Sequence, residues 1–564
     1  MQKQLVRRRL TAFAVGVVTA LAATVAPVGA ADHSDSMAEG SNGWEVDPVF
    51  TVGETVSGYA PPGVIDGLGA FELDDDTVRV LANHELLNFR GYPYEVGDGS
   101  GGTFTMTGAR ISAFDIDKDS RQVTAAGPAY DAVYDANGEI ATDPSFLAND
   151  FAGFSRFCSA SLFEAHEFGR GRGLEDRIFF TGEEDGGGFN SVGGAEWALD
   201  PATGTLWALP DLGRGGWENI TVLDSGRSDT IAIMLADDTS PFDFDGDGET
   251  EAAPLYLYVG KKDPNGDFPA RNGLRGGTLH VWAARNGDTT PADFRGRGTR
   301  AGRWVEIDNT RRPDQASEDG STGFDEYGYP TQGTLWLRAR DLGAFGFSRP
   351  EDVATNPADG REAVLASTGV DTYVDGADTF GTLYRVKTNF RNLSATVRIV
   401  YDGDADPQRA LRSPDNLDWA DDGLIYVQED KAEEQSLDGE PLFGPGAANP
   451  NEAGIVSMNR NGRKLVRVAN IDRSVVLDAS ILDPTLAVDV DAGDAGEWES
   501  SGIVDVSRLF GEDGGTLFLF DVQAHGIEDQ AQFNPTSRIT DDDLVEGGQL
   551  SFLTLEDDDE DDDG

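Results

Sequence analysis

The stretch DDGLIYVQED, Asp421–Asp430, is an Asp-Asp-Gly turn that feeds a short apolar run closed by acidic residues. Turn residues followed by four to eight apolar or β-branched side chains read as a hairpin end leading into a buried strand. The figure returns in DDDTVRVLANHE (74–85), LEDRIFFTGEED (174–185), DPATGTLWALP (200–210), SDTIAIMLADD (228–238), NPADGREAVLAST (356–368) and EDGGTLFLFDVQAH (512–525). No run of amphipathic helices separates these segments, and 70 glycines and 25 prolines punctuate the chain instead. Many short strands without helical crossovers predict an all-β fold, either a propeller or a sandwich. Repetition favours the propeller. An acidic residue closes the strand around Glu183, Asp237, Glu429 and Asp521, and equivalent ends of a propeller's inner strands converge on its central channel. The irregular period implies long loop insertions and leaves the blade number unread.

The opening MQKQLVRRRLTAFAVGVVTALAATVAPVGA has a basic start, an apolar stretch from Leu10 to Val25 and small residues at Val28–Ala30. That is the pattern of a signal peptide, expected over residues 1–30. Its apolar run falls short of the roughly 20 residues that span a bilayer. Arg7-Arg8-Arg9-Leu10 also permits a twin-arginine reading. The expected location is therefore secreted or periplasmic. A single domain is expected over 42–545. Residues 31–41 and the acidic stretch 546–564, which ends in LEDDDEDDDG, are expected to lack order. With 101 acidic residues against 44 basic ones, the net charge is −57. Such a surface repels nucleic acid and anionic membrane and suits a saline or divalent-rich medium that screens self-repulsion. Cys158 is the only cysteine, so no intrachain disulfide can brace this exported chain. Its core, bound metal or both must hold it.

Acidic residues gather beside strand ends in NHE (83–85), GEED (182–185), WEN (217–219), DD (237–238), RPED (349–352), PDN (414–416) and QED (428–430), with QAH at 523–525. Carboxylates crowded together repel unless a cation compensates, and Asp, Glu and Asn oxygens favour hard cations such as calcium. In DFDGDGETE, Asp243, Asp245 and Asp247 alternate before Gly248, like the start of a calcium loop. Pro254 stands where an EF-hand places its closing Glu, so a structural calcium loop of another class is expected. No phosphate loop, zinc helix or nucleophile elbow occurs.

In order, NHE, the Cys158 segment, GEE, WEN, DD, RPED, SPDN and QAH resemble the motifs of the PhoX family of secreted alkaline phosphatases, from about Gly58 to His525. SRPEDVATNP and SPDNLDWADDGLIYVQED are the most specific pieces, and SASLFEAHEFGRGRG departs from the family's usual segment in the manner of a divergent branch. The resemblance implies a six-bladed β-propeller that hydrolyses phosphomonoesters with ferric and calcium ions. It further implies Cys158, Glu183, Glu184, Glu218, Glu351, Asp415 and Asn416 as metal ligands, with Arg349 and His525 facing the phosphate. Asp352 and Asp418 are expected to be solvated or turn-forming. The expected partner is a small phosphoester, with no nucleic acid, no membrane after signal cleavage and a monomeric state. Metal ions would do the work of an activated serine. Two other readings keep the carboxylates without iron: a calcium-dependent propeller hydrolase for phosphodiesters, phytate or lactones, and a non-catalytic calcium-binding propeller.

Overall fold

The computed structural model describes residues 35–556 apart from 148–150, 188, 318–319, 432–434, 478–488, 490–492 and 528–540. The signal-peptide expectation lies outside the described residues. The fold is all-β, as expected, and most strands belong to six four-stranded antiparallel meanders. Their first strands are Ile65–Asp74, Phe157–Phe163, Trp217–Leu223, Pro350–Thr355, Pro414–Trp419 and Glu499–Asp505. Each first strand contacts the first strands of the meanders before and after it, and the sixth returns to the first, closing a ring. The sixth meander takes its outer strand, Trp44–Thr51, from the beginning of the chain, paired to Gly547–Leu555.

Two boundary expectations are corrected. Ala38–Gly40 pairs with Arg463–Ile471 as an outer strand of the fifth meander, and Gly547–Leu555 lies between two strands and is largely buried. Order therefore begins before residue 42 and extends past 545. The run GGQLSFLTL, Gly547–Leu555, is apolar enough to be a strand, and the acidic composition of the residues behind it masked that. The stretch 557–564 lies outside the described residues.

The inner strands of the meanders are largely buried on both faces, which is why strands such as Ile178–Glu183, Trp217–Leu223 and Thr230–Asp237 read as continuous apolar runs. In Thr230–Asp237, Ile231, Ile233 and Leu235 pack toward the second meander, whereas Ala232, Met234 and Ala236 pack toward the fourth. The six largest hydrophobic clusters lie accordingly one between each consecutive pair of meanders around the ring.

Five of the first strands share a local distortion. Ile65, Phe157, Trp217, Pro350 and Pro414 pair with the neighbouring strand, and pairing resumes three residues later. Two residues thus face one, a bulge that re-aims side chains. The bulged pairs are Asp66-Gly67, Cys158-Ser159, Glu218-Asn219, Glu351-Asp352 and Asp415-Asn416. Before four of these strands the chain turns through a left-handed non-glycine residue: Val64, Arg156, Arg349 and Ser413. Repeating an unfavourable backbone conformation at equivalent points is a cost that the surrounding fold must impose. Gly67 meets a different need, since a Cβ there would lie 2.2 Å from the Ala160 nitrogen.

The repeated acidic residues at strand ends are real, but they belong to the second strands and not, as expected, to the inner ones. Glu183, Asp237 and Glu429 sit opposite Phe157, Trp217 and Pro414. Each accepts a backbone N–H from the turn that enters the first strand: Ser155 at 3.3 Å, Gly216 at 2.9 Å and Arg412 at 2.9 Å. They brace the bulges rather than form the channel wall.

Candidate metal centre

The leading residues of the bulged pairs converge at one end of the ring. Three sets of donor atoms each lie within 4.8 Å of one another: Asp66, Glu85 and Cys158; Cys158, Glu184 and Glu218; and Glu218, Glu351 and Asp415. Cys158 and Glu218 are shared, so the three sets form one continuous line of donors. Except for half-buried Glu85, all are buried. The Cys158 thiol donates to Asp66 Oδ2 at 3.2 Å.

This cluster is short of hydrogen-bond partners and of cations. Glu218 Oε2, Asp415 Oδ1 and Asn416 Oδ1 are buried with no hydrogen-bond partner, as are Asp238 Oδ1 and both oxygens of Asp521. Burial, then the charge of neighbouring carboxylates, pushes Asp66, Glu218 and Asp415 well above the usual carboxylate range. Burial raises Glu184 and Glu351 as well; Arg156 and Arg349 respectively oppose the rise without cancelling it. The Cys158 thiol is pushed up by burial and by Asp66 and Glu218. Orphaned, buried, anionic oxygens beside one sulfur are what a group of multivalent cations would satisfy, so the residues fit the metal centre that the resemblance implies.

The trailing residues of the pairs make the floor below. Asn219 Nδ2 donates to Asp352 Oδ1 at 2.6 Å and to Ser159 Oγ at 3.0 Å, and Leu417 N–H donates to Asp352 Oδ2 at 2.9 Å. Asp352 is thus buried and fully engaged, correcting the expectation that it is solvated, and burial pushes it up to about 7. Asp418 is half-buried and accepts from the Asp505 N–H at 2.8 Å. Asn83 Nδ2, in NHE, donates to the carbonyls of Cys158 and Ser159 at 2.7 and 3.1 Å and so fixes the cysteine strand.

A cavity of about 480 Å³ opens above the cluster, lined among others by Arg156, Glu184, Asp238, Arg349, Asp430 and Glu499. Arg349 lies 2.7 Å from Asp238, 3.1 Å from Glu351 and 3.8 Å from Asp430. Arg156 pairs with Glu85 at 2.9 Å and with Glu184. His525 does not line the cavity. Its ring nitrogens meet Glu546 at 2.5 Å and Glu499 at 3.4 Å. Burial works against its charge, but these carboxylates hold it well above its ordinary range. In turn His525 outweighs burial at Glu499, bringing that carboxyl down to about 2.

Of the expected ligands, Cys158, Glu184, Glu218, Glu351 and Asp415 come together, and Asn416 donates to Asp66 at 3.2 Å beside them. Glu183 does not join them. Its oxygens take Ser155 N, Ala195 N and Trp197 Nε1, and burial and Asp185 raise it to about 7. Asp66, Arg156 and Glu499 were missed, and Glu85, Asp238 and Asp430 were seen only as strand-end acids. In IDG (65–67) the apolar–acidic–small order matches WEN and PDN, a signal that could have found Asp66. The separate loop of Asp243, Asp245 and Asp247 does bring its carboxylates within 4.8 Å.

Residues 219–469 match the model of the family described as alkaline phosphatase PhoX. That stretch is similar to the PhoX family over a little under half of the chain. The PhoX match contains Glu351, Asp415 and Arg349, whereas Asp66, Glu85, Cys158 and Glu218 precede it. Among solved structures, Pseudomonas fluorescens PhoX in complex with vanadate, a transition-state analogue, is similar at 13% identity and a TM-score of 0.59, covering 93% of this chain and 97% of that one. At that identity the likeness to PhoX concerns the fold. A β-1,2-mannobiose phosphorylase from Listeria innocua is similar over 64% of this chain and 91% of that one, at 9% identity, but its TM-score of 0.20 carries no argument. No curated protein matches the chain.

Proposed function

We propose that this protein is a secreted, metal-dependent phosphomonoesterase of the PhoX type, built on a six-bladed β-propeller. The ring of six first strands, with a core between every pair of meanders, supports the propeller reading. The single observation that carries the function is the continuous line of buried donors with orphaned oxygens at the base of an arginine-lined cavity.

Cys158, Glu184, Glu218, Glu351, Asp415 and Asn416, joined by Asp66 and Glu85, would hold the metal ions. Cys158 adds a soft thiolate to hard oxygens, a mixture suited to iron and calcium together. When bound, such ions neutralise the carboxylates, attract phosphoryl oxygens and activate water at neutral to alkaline pH. Arg349, held by three carboxylates, presents its guanidinium to a phosphoryl group with a geometry that lysine cannot copy. Arg156, paired with Glu85 and Glu184, lines the same cavity. His525 is a positioning residue: charged between Glu499 and Glu546, it fixes Glu499 in the cavity wall. Asp352, Asn219 and Ser159 hold the bulges in place. The calcium-only reading gives Cys158 no part, although its sulfur belongs to two of the three donor sets. We assign Asp243, Asp245 and Asp247 to a structural calcium, and infer a monomer exported by its signal peptide. Protein isolated from its native host should release phosphate from a phosphomonoester and contain iron and calcium; metal-free protein with full activity would refute the reading.

A further inference from the structure

The cavity above the cluster is lined almost wholly by charged and small side chains, with two exceptions, Phe189 and Phe242. Phe189 is 57% exposed and Phe242 is 46% exposed. Single exposed apolar residues are ordinary, but only three phenylalanines are exposed among the described residues, and two of them stand on this one rim. Both rings are held although they face solvent. Phe189 lies under the Arg156 guanidinium at 4.4 Å, and its N–H closes a turn onto Gly186 at 2.9 Å. Phe242 packs 5.0 Å from Phe244, which packs 5.2 Å from buried Trp336. Its backbone exchanges hydrogen bonds with Glu251 at 2.9 and 3.0 Å.

Fixed aromatic faces beside a polar site orient the apolar part of a ligand at little entropic cost. A phosphoryl group drawn to Arg349 and the cluster must direct the rest of its ester out through this opening. We propose that Phe189 and Phe242 receive the leaving group, and that the preferred substrates are phosphomonoesters of alcohols bearing a flat aromatic ring. The rest of the lining mixes the carboxylates Glu184, Asp238, Asp430 and Glu499 with the cations Arg156, Arg349 and Lys431. This inference rests on the phosphatase reading and adds the substrate class to it.

Benzylphosphonate and ethylphosphonate carry the same dianionic head and differ in the ring, and neither is hydrolysed. Titration calorimetry on the metal-loaded protein should show benzylphosphonate binding about tenfold tighter, the upper range of an aromatic contact. The kcat/KM ratio of benzyl phosphate to ethyl phosphate should follow. Phe189→Ala and Phe242→Ala should each cut the preference by about threefold, and Phe189→Leu, which keeps bulk without a ring, should also lower it. Equal binding of the two phosphonates, or a preference that survives both alanine substitutions, would overturn the inference alone. If neither phosphonate bound, the phosphatase reading would fall and take this inference with it.

Discussion

Asp243, Asp245 and Asp247 bring three carboxylates within 4.8 Å of one another, and so do Glu218, Glu351 and Asp415. The first set is on a surface loop. Both Asp243 oxygens accept backbone N–H groups, from Gly246 at 2.7 Å and Gly248 at 2.9 Å. Arg340 stands beside Asp245 at 3.3 Å and Asp247 at 3.7 Å and also pairs with Glu251. Water, amides and one arginine already answer much of that charge, so the calcium assigned to this loop would be held weakly. The second set is buried and retains orphaned oxygens. The same residue types thus pose a mild electrostatic problem in one place and a severe one in the other. Burial and missing partners, rather than acidity, mark the site that needs cations.

The widest gap between the two regions should appear on substitution. Glu218→Ala removes a donor shared by two sets. It should lower phosphate release by at least about 100-fold with a parallel loss of metal, whereas Asp245→Ala should leave turnover within a few-fold. Elemental analysis beside a phosphate-release assay makes the test, and equal effects would erase the distinction drawn here.

Metal removal should separate the regions by pH. In metal-free protein Asp66, Glu184, Glu218, Glu351 and Asp415 have folded values raised above their ordinary 3.8 and 4.5. The folded state then binds more protons than the unfolded one, so stability is greatest below those ordinary values and is lost as pH rises through the folded ones. Every tenfold difference in a carboxyl's proton affinity between the two states is worth about 1.4 kcal/mol. Melting temperatures of chelated protein should fall steadily above pH 4.5, and calcium should flatten the curve. A chelated protein with a level profile would place the strain elsewhere.

How far the sequence disclosed this centre depends on what each residue does. All-β architecture was legible in turn-plus-apolar-run figures such as DDGLIYVQED, because strands buried on both faces must be apolar throughout. WEN, RPED and SPDN were legible as acidic residues set beside Pro or Asn next to apolar strands and by their order along the chain, whereas the bulges that aim them appear only in the strand register. Glu183 was misread because it shares its neighbours' composition, and only the register shows that it braces the Ser155 turn. Asp66 and Glu499 were hidden because their partners lie elsewhere in the chain: Gln523 donates to Asp66 at 2.8 Å, and His525 meets Glu499. Asp66 and Gln523 are 457 positions apart, and ordinary charge gives no hint of such a contact.

A smaller effect belongs to the floor. Asp352→Ala takes an acceptor from the Leu417 N–H and one from Asn219 Nδ2, which keeps Ser159 Oγ, and should cost about 1–3 kcal/mol while the metal stays bound. Loss of metal equal to that of Glu218→Ala would make Asp352 a ligand. The least effect is expected at the loop, where Asp245→Ala should shift stability by at most about 1 kcal/mol.

Whether Cys158 serves the buried cluster as a thiolate ligand to iron is decided most plainly by the visible spectrum of the protein purified with its metals. Thiolate coordinated to ferric iron absorbs visible light by charge transfer, which oxygen donors do not reproduce. With Cys158 on iron, the protein should be coloured, and a Cys158→Ser variant should be bleached, poor in iron and nearly inactive while still folded in calcium. A colourless wild type with full phosphatase activity, or a serine variant with unchanged iron and turnover, would contradict it.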